Sequence, residues 1–156
     1  MIIKEGMMIL NKQIIGRDIL YNDNIESNKK IILWDVINIR NEQDIIIKFI
    51  SSNSKDKQGI RIAVDVGNGY IEVMNEKSKG IKLWKNLSPE EIHLKCFCEK
   101  GLISIYNIWD KGRGVRSQTD FAGMLVERNE NRIIYRCNNG TLDSKFDELV
   151  FEIELL

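Results

Sequence analysis

Short stretches in which apolar and polar residues alternate recur about every ten residues along this chain. In the clearest, residues 60–66, every second side chain is aliphatic, which is the period of a half-buried β-strand. Gly67, Asn68 and Gly69 follow, and residues 70–74 alternate again. Glycine and asparagine tolerate the positive φ of a tight turn, so the pattern predicts a β-hairpin here. Similar patterns predict strands at residues 14–21, 31–40, 45–50 and 80–84.

The second half of the chain continues in the same way. Ser88-Pro89-Glu90-Glu91 resembles a helix start, but residues 92–98 then alternate with period two, so a strand preceded by a turn is the better interpretation. Glu99-Lys100-Gly101 separates that strand from residues 102–108, and this outline also predicts a hairpin. Residues 149–155 predict a last strand with its glutamates toward solvent.

These elements predict an all-β fold, an antiparallel β-sandwich or jelly roll. The chain has 156 residues, 43% of them hydrophobic, which is enough for one ordinary core. It contains a single proline, and neither a repeat nor a linker-like segment interrupts it. We therefore expect one domain spanning residues 1–156.

Charge and cysteine content indicate which partners and which cellular compartment to expect. Lys plus Arg and Asp plus Glu number 23 each, so the chain lacks the basic surplus typical of nucleic-acid binding. The N-terminal apolar runs are broken by Lys4 and Glu5, too short and polar for a signal peptide or a membrane span. Three cysteines without a secretory signal indicate reduced thiols in the core. We expect a cytoplasmic protein without a membrane partner.

The sequence lacks the residue combinations that most classes of catalytic site need. With His93 as the only histidine, a Ser-His-Asp triad or a histidine-rich zinc site is disfavoured. Gly112-Arg113-Gly114 lies among strands, which argues against a dinucleotide loop. The remaining catalytic hypothesis is a carboxylate-based hydrolase, in which Asp110 would face Asp120 or Asp143. Nothing but loop proximity supports it, so a protein that is not an enzyme is favoured.

The most distinctive segment is the predicted loop 110–120. Two glycines permit unusual backbone geometry, arginines offer forked donors for carboxylate or phosphate, and a tryptophan just before the loop could stack on a ligand. The alternative is a solvated loop whose charges pair with one another. The candidate ligand-binding residues here are Trp109, Asp110, Arg113, Arg116, Gln118 and Asp120.

A second oxygen-rich segment, residues 138–148, adds Asn138, Asn139 and Asp143 to the candidate ligand-binding residues. Calcium takes six to eight oxygen ligands, and Asp110, Asp143 and Asp147 are its candidate ligands in this chain. The spacing differs from an EF-hand loop, and the same residues are also ordinary turn formers. No other cofactor is predicted.

Residues 83–156 resemble a galactose-binding-type jelly roll. The strand 102–107, the Asp- and Gly-bearing loop after it and the closing strand 149–155 are similar to those of small calcium-dependent galactophilic bacterial lectins. The resemblance implies a calcium ion shared with sugar hydroxyls and Asp110 as its ligand. The chain departs from that pattern where Arg113 and Arg116 enter the loop, and where an extra hairpin, residues 123–137, precedes the final strand.

The sequence thus favours a non-catalytic, lectin-like recognition module that binds a carbohydrate or another polar ligand through its long loops. The alternative is a small cytosolic protein-interaction protein of the immunity or antitoxin kind, whose surface its protein partner sets. Pairing of an edge strand with a second copy, giving a homo-oligomer, stays open.

Overall fold

A computed structural model of the chain describes residues 2–4, 7–10, 19–22, 30–119, 122–139 and 145–156. Within these ranges there are fifteen β-strands and one 3₁₀ turn at Lys85–Leu87. The strands in chain order are β1 Ile2–Lys4, β2 Met7–Leu10, β3 Leu20–Tyr21, β4 Ile32–Asn38, β5 Glu42–Ser51, β6 Lys57–Val64, β7 Gly69–Val73, β8 Glu76–Ser78, β9 Gly80–Trp84, β10 Glu91–Cys98, β11 Leu102–Asp110, β12 Val115–Arg116, β13 Ala122–Asn129, β14 Arg132–Asn139 and β15 Leu149–Leu155. The predicted all-β class is confirmed.

All described strand pairs are antiparallel, and thirteen strands follow one path, from which β12 branches at β11 and β3 branches at β4. One half, sheet A, has the order β1-β2-β9-β6-β11-β4, and the other, sheet B, has the order β13-β14-β15-β5-β10-β7-β8. Strand β4 joins the two, because residues 35–38 pair with β11 while Ile32 pairs with β13. The sheets enclose one hydrophobic core, to which nearly every long strand contributes aliphatic or aromatic side chains. The predicted antiparallel sandwich is confirmed.

Two predicted hairpins are wrong. Strand β6 pairs with β9 and β11 in sheet A, whereas β7 pairs with β10 and β8 in sheet B. The same holds for β10 and β11, which the sequence also joined as a hairpin. Each of these turns carries the chain across the core, so that the consecutive strands face each other through their side chains instead of sharing backbone hydrogen bonds.

The two crossing turns lie side by side. The Glu99 N–H donates to the Asn68 carbonyl (2.8 Å), and the Asn68 N–H donates to a Glu99 carboxylate oxygen (3.0 Å). Gly101 has φ +65°, and a Cβ there would lie 2.7 Å from the Ile39 carbonyl oxygen. Glycine is required at this position both by the left-handed backbone and by the close approach. Turn residues that favour hairpins serve these crossings equally well.

Other predicted strands agree closely with the structure. The predicted segments 31–40, 45–50, 80–84 and 149–155 correspond to β4, β5, β9 and β15. The hairpin predicted at residues 123–137 is formed by β13 and β14. Of the predicted strand 14–21, residues 14–18 lie outside the described residues, and β3 forms its end. The described part of the chain has no helix of the length and apolar character that a membrane span needs.

Candidate functional site

Four connections meet at one end of the sandwich. Lys57 and Gln58, at the start of β6, pair with Asp110 and Trp109 at the end of β11. The 3₁₀ turn follows directly after β9, the other neighbour of β6. On the opposite side, residues 52–56 are hydrogen-bonded to residues 145–148: the Asn53 N–H donates to the Asp147 carbonyl at 3.0 Å. This end therefore combines the loop 52–56, the 3₁₀ turn, the hairpin 111–114 and the segment 145–148.

A cleft of about 380 Å³ opens between the loop 52–56 and the 3₁₀ turn. We call it the lysine cleft; it is lined by Ser52, Ser54, Lys55, Asp56, Lys57, Gln58, Lys85 and Asn86. No carboxylate of the described residues lies within salt-bridge distance of its three lysines. The Lys57 ammonium lies 4.5 Å from the centroid of the Trp84 ring, a cation–π contact that fixes its position. Among the described residues, the cleft thus presents three lysines against one carboxylate, Asp56, which does not pair with them.

Gln58 supplies the buried polar group of the lysine cleft. Its side chain is 3% exposed, and its amide nitrogen donates to the Asp56 carbonyl at 3.4 Å. Its Oε1 atom is buried and has no hydrogen-bond partner in the part of the chain that the structure describes. Buried polar groups are normally paired because an unpaired one loses its hydration without compensation. A ligand with a hydroxyl or N–H donor would satisfy this oxygen.

The charge balance of this end differs from that of the whole chain. Among the described residues, seven cationic ones lie on the four connections and their flanks against four acidic ones, although the chain is neutral overall. The cationic residues are Lys55, Lys57, Lys85, Lys111, Arg113, Arg116 and Lys145, and the acidic ones are Asp56, Asp110, Asp147 and Glu148. The positive surplus favours anionic ligands over neutral ones.

The predicted loop 110–120 is largely a short hairpin. Val115 and Arg116 form β12, which pairs back onto Asp110 and Trp109. The Asp110 Oδ1 atom accepts hydrogen bonds from the N–H groups of Gly112 (2.7 Å) and Gly114 (3.3 Å), so this carboxylate closes the turn. Arg113 and Arg116 are exposed, and Gln118 is half-buried.

Trp109 does not have the position expected of a stacking platform. Its side chain is 1% exposed, and it is among the largest fully buried side chains of the protein. Strand β11 is buried on both faces over most of its length, so the last tryptophan before the hairpin packs inside rather than at the rim. The indole therefore offers no exposed ring face to a ligand.

The two predicted asparagines also point inward. Asn138 is 0% exposed and Asn139 2% exposed. Asn107 donates to the Asn139 side-chain oxygen at 3.3 Å, and the Asn139 N–H donates to a Glu148 carboxylate oxygen at 3.2 Å. These contacts anchor the end of β14 beneath the four connections. Asp120 and Asp143 lie outside the described residues.

The calcium hypothesis receives no support from the described carboxylates. Asp110 binds backbone N–H groups of its own turn, and Asp147 Oδ2 accepts a hydrogen bond from the Asn53 side chain at 2.9 Å. The described residues contain no group of three or more His, Cys, Asp or Glu side chains that could hold a metal ion. The calcium site stays a prediction, since Asp143 belongs to it.

The three thiols are buried and free, as predicted. Burial raises the pKa of Cys98 to about 11, and it raises the pKa of Cys137 well above its ordinary range. Nucleophilic cysteines need the opposite shift, toward the thiolate. Cys96, Cys98 and Cys137 therefore act as small core residues.

Sequence reasoning missed the lysine cleft. The composition of the segment 51–58 gives no indication of a binding site, because its Lys, Ser and Asn residues are common in exposed loops. Strand β6, however, begins at Lys57, three residues before the first aliphatic residue of the pattern. The available signal was the cluster of two lysines and a glutamine directly before a strong strand.

The comparisons with known proteins identified no relative of this chain. No family model matches the chain, and neither a curated protein nor a solved structure matches it.

Proposed function

We propose that this protein is a recognition module that binds an anionic, hydroxyl-bearing ligand, such as an acidic carbohydrate, in the lysine cleft. The observation that carries the proposal concerns the described part of the chain: three lysines have no carboxylate partner there, and a buried Gln58 oxygen has no donor there. Lysine ammonium groups favour carboxylate or phosphate, while Gln58 Oε1 calls for a hydroxyl or N–H on the same ligand.

The hairpin next to the cleft extends this surface. Asp110 pairs with Lys57, so the turn 111–114 begins where the cleft ends. Arg113 and Arg116 are exposed there and would meet the outer part of a larger ligand. Trp84 holds the Lys57 ammonium in place before binding, which lowers the entropy lost when a ligand orders it.

Binding rather than turnover fits the chemistry of the cleft. Carboxylate-based hydrolysis needs two acids facing each other across the substrate. Asp56 is the one carboxylate among the residues that line the lysine cleft. The hydroxyl of Ser52 donates to the Glu148 carbonyl at 2.8 Å, and its contacts include no group that would activate it as a nucleophile.

The test is a series of thermal melts with glucuronic acid, glucose 6-phosphate and neutral glucose at constant ionic strength. We expect the two anionic sugars to raise Tm and neutral glucose to have no effect. A ligand at a hundred times its Kd stabilises the folded state by about 2.7 kcal/mol. The double variant Lys55→Met/Lys85→Met is expected to weaken binding at least tenfold.

The matched control is Lys77→Met/Lys95→Met, which removes the same charge from strands of sheet B. Equal weakening in both double variants would show non-specific charge attraction and overturn the site. A shift that needs calcium and occurs with neutral galactose would instead support the loop site at Asp110 and Asp143.

A further inference from the structure

Four polar-tipped side chains form a row across the outer face of sheet A, opposite the core face of Ile60 and Ile62. Lys82 on β9 pairs with Arg61 on β6, and Arg61 pairs with Tyr106 on β11. Trp34 on β4 continues the row, because its ring stacks on Tyr106 with 5.0 Å between the ring centroids. We call these four side chains, Lys82, Arg61, Tyr106 and Trp34, the donor row.

The donor row is buried and has few acceptors. Arg61 is 3% exposed and Trp34 7% exposed. The Tyr106 hydroxyl is a hydrogen-bond partner of Arg61, but the Arg61 Nη1 and Trp34 Nε1 atoms are buried and have no hydrogen-bond partner among the described residues. The Arg61 guanidinium lies 5.7 Å from the centroid of the Tyr106 ring, and no carboxylate of the described residues forms a salt bridge with it. Two buried donors, one of them charged, are left unsatisfied.

A second cation lies beside the first. Lys82 is half-buried, and burial together with the Arg61 charge lowers its pKa. Two adjacent cations repel each other at low dielectric, and a buried guanidinium without an anion is strongly unfavourable. An anion between them would relieve both effects. Since Lys82 is the most exposed member, the row opens to solvent at its end.

Asp65, whose carboxylate is on the same side of the chain as Arg61, is too far away to form a salt bridge with it. Asp65 lies four residues beyond Arg61, about 13 Å along a strand, and it accepts a hydrogen bond from the Ser104 hydroxyl. The lysine cleft lies at the other end of the same strand, again four residues from Arg61 at Lys57. The donor row is therefore a separate place on the molecule.

We propose that the donor row is a second binding site, which holds the oxyanion of a ligand, a phosphate or a carboxylate, between Arg61 and Lys82. The guanidinium presents two parallel N–H donors to such a group, and the Lys82 ammonium binds a further oxygen. The stacked rings of Tyr106 and Trp34 form an apolar floor on one side, and the indole N–H is free to donate to the ligand.

The experiment measures thermal stability and tryptophan fluorescence in phosphate, acetate and chloride buffers of equal ionic strength, with glucose 6-phosphate as a further probe. We expect a higher Tm in phosphate or acetate than in chloride, together with a fluorescence change from Trp34. If glucose 6-phosphate binds more tightly than inorganic phosphate, the oxyanion belongs to a larger ligand. If the two bind with equal affinity, the ligand is the free ion.

The variants locate the effect. Arg61→Met and Lys82→Met are each expected to weaken phosphate binding at least tenfold, whereas Arg132→Met, on the outer face of sheet B, retains it. Trp34→Phe is expected to lose the fluorescence change but to keep the thermal shift. The Lys55→Met/Lys85→Met variant of the lysine cleft keeps both signals in inorganic phosphate and in acetate, so failure of one site is distinguishable from failure of the other.

Arg61→Met also has an expected result without any ligand. In chloride its Tm should equal or exceed that of the parent protein, because an uncompensated buried charge has been replaced by an apolar side chain. A large fall in Tm in chloride would show that Arg61 is a structural residue and overturn the site. A phosphate shift that persists in both Arg61→Met and Lys82→Met would overturn it as well.

Discussion

Two buried charges, on strands of sheet A that are separated by β11, have opposite surroundings. Asp35, on β4, is 0% exposed and is held by the Arg128 guanidinium at 2.7 and 2.9 Å and by the Tyr135 hydroxyl at 2.5 Å. Arg61, on β6, is almost equally buried but meets an aromatic ring and another cation. A partnered buried charge ties elements of the fold together, whereas an unpartnered one has the properties of a binding group.

The titration behaviour of the neighbours follows this difference. Burial alone would lower the pKa of Arg128, but the Asp35 carboxylate outweighs it and leaves that pKa above its ordinary value. Burial, and then Asp35, raise the pKa of Tyr135. Around Arg61 the shift goes the other way, since burial and the guanidinium lower the pKa of Lys82. We call the group around Asp35 closed, because its charges are paired with one another. We call the group around Arg61 open, because its two cations have no anionic partner among the described residues.

The largest expected effect comes from breaking the closed group. Asp35→Ala leaves the Arg128 charge and the Tyr135 hydroxyl without their partner, so we expect a loss of about 3–5 kcal/mol in unfolding free energy. Urea denaturation measures it. Asp44→Ala is the matched control, since Asp44 is exposed and lies 4.0 Å from Lys95. A loss no larger than that of the control would contradict the structural role of Asp35.

A smaller effect should appear as a pH dependence of the open group. Because the pKa of Lys82 in the folded protein lies below its ordinary value of 10.5, the unfolded chain binds more protons between the two values. The parent protein should therefore gain stability relative to Lys82→Met as pH rises toward 10.5 in oxyanion-free buffer. Melts from pH 7 to 10 measure the difference.

Lys77→Met serves as the reference for this pH series, because Lys77 is exposed and lies 4.0 Å from Glu72. The slope of the Lys82 difference is compared with this reference series. If the Lys82 difference did not rise relative to the reference, or sloped the other way, Lys82 would have an anionic partner in the folded protein, and the open description of this group would fail.

The smallest effect is expected on the outer face of sheet B, where the cation of an ion-pair network is exposed. Arg132 lies 3.9 Å from Glu152 and 3.8 Å from Glu154, with 55% of its own side chain exposed but only 10% and 14% of theirs. Water screens the exposed guanidinium, and Lys48 remains as a second partner of both glutamates, so Arg132→Met should change stability by about 0.2–1 kcal/mol. Guanidinium chloride and urea midpoints together give the value, and a loss comparable to that of Asp35→Ala would contradict the comparison.

Local patterns were informative wherever one strand could be judged by itself. The alternation in residues 149–155 predicts β15, and the structure places Phe151 and Ile153 in the core. The predicted exposure of its glutamates is wrong for Glu152, which is 7% exposed. The turns at residues 67–69 and 99–101 are predicted at the right positions, but the hairpins predicted there are wrong. A turn signal marks where the chain reverses, and it does not distinguish a hairpin within one sheet from a crossing between two.

The site residues show the same division. Asp110, Arg113 and Arg116 were identified from composition, and the structure places them on a hairpin beside the lysine cleft. Trp109 looked like a rim residue, but β11 is buried on both faces. Arg61 looked like the ordinary polar position of an alternating strand, and nothing in its neighbours along the chain indicates that it is buried.

The sequence by itself determined the strand class, the antiparallel sandwich and most strand positions, because period-two alternation and turn residues are local properties. Only the tertiary structure decided which strands pair, which faces of sheet A are covered, and which cations lack a partner. These depend on contacts such as those of Lys82 with Arg61 and of Asn53 with Asp147, which bring distant parts of the chain together. Burial and electrostatic pairing are set by such neighbours in space, and alternation along one strand carries no record of them.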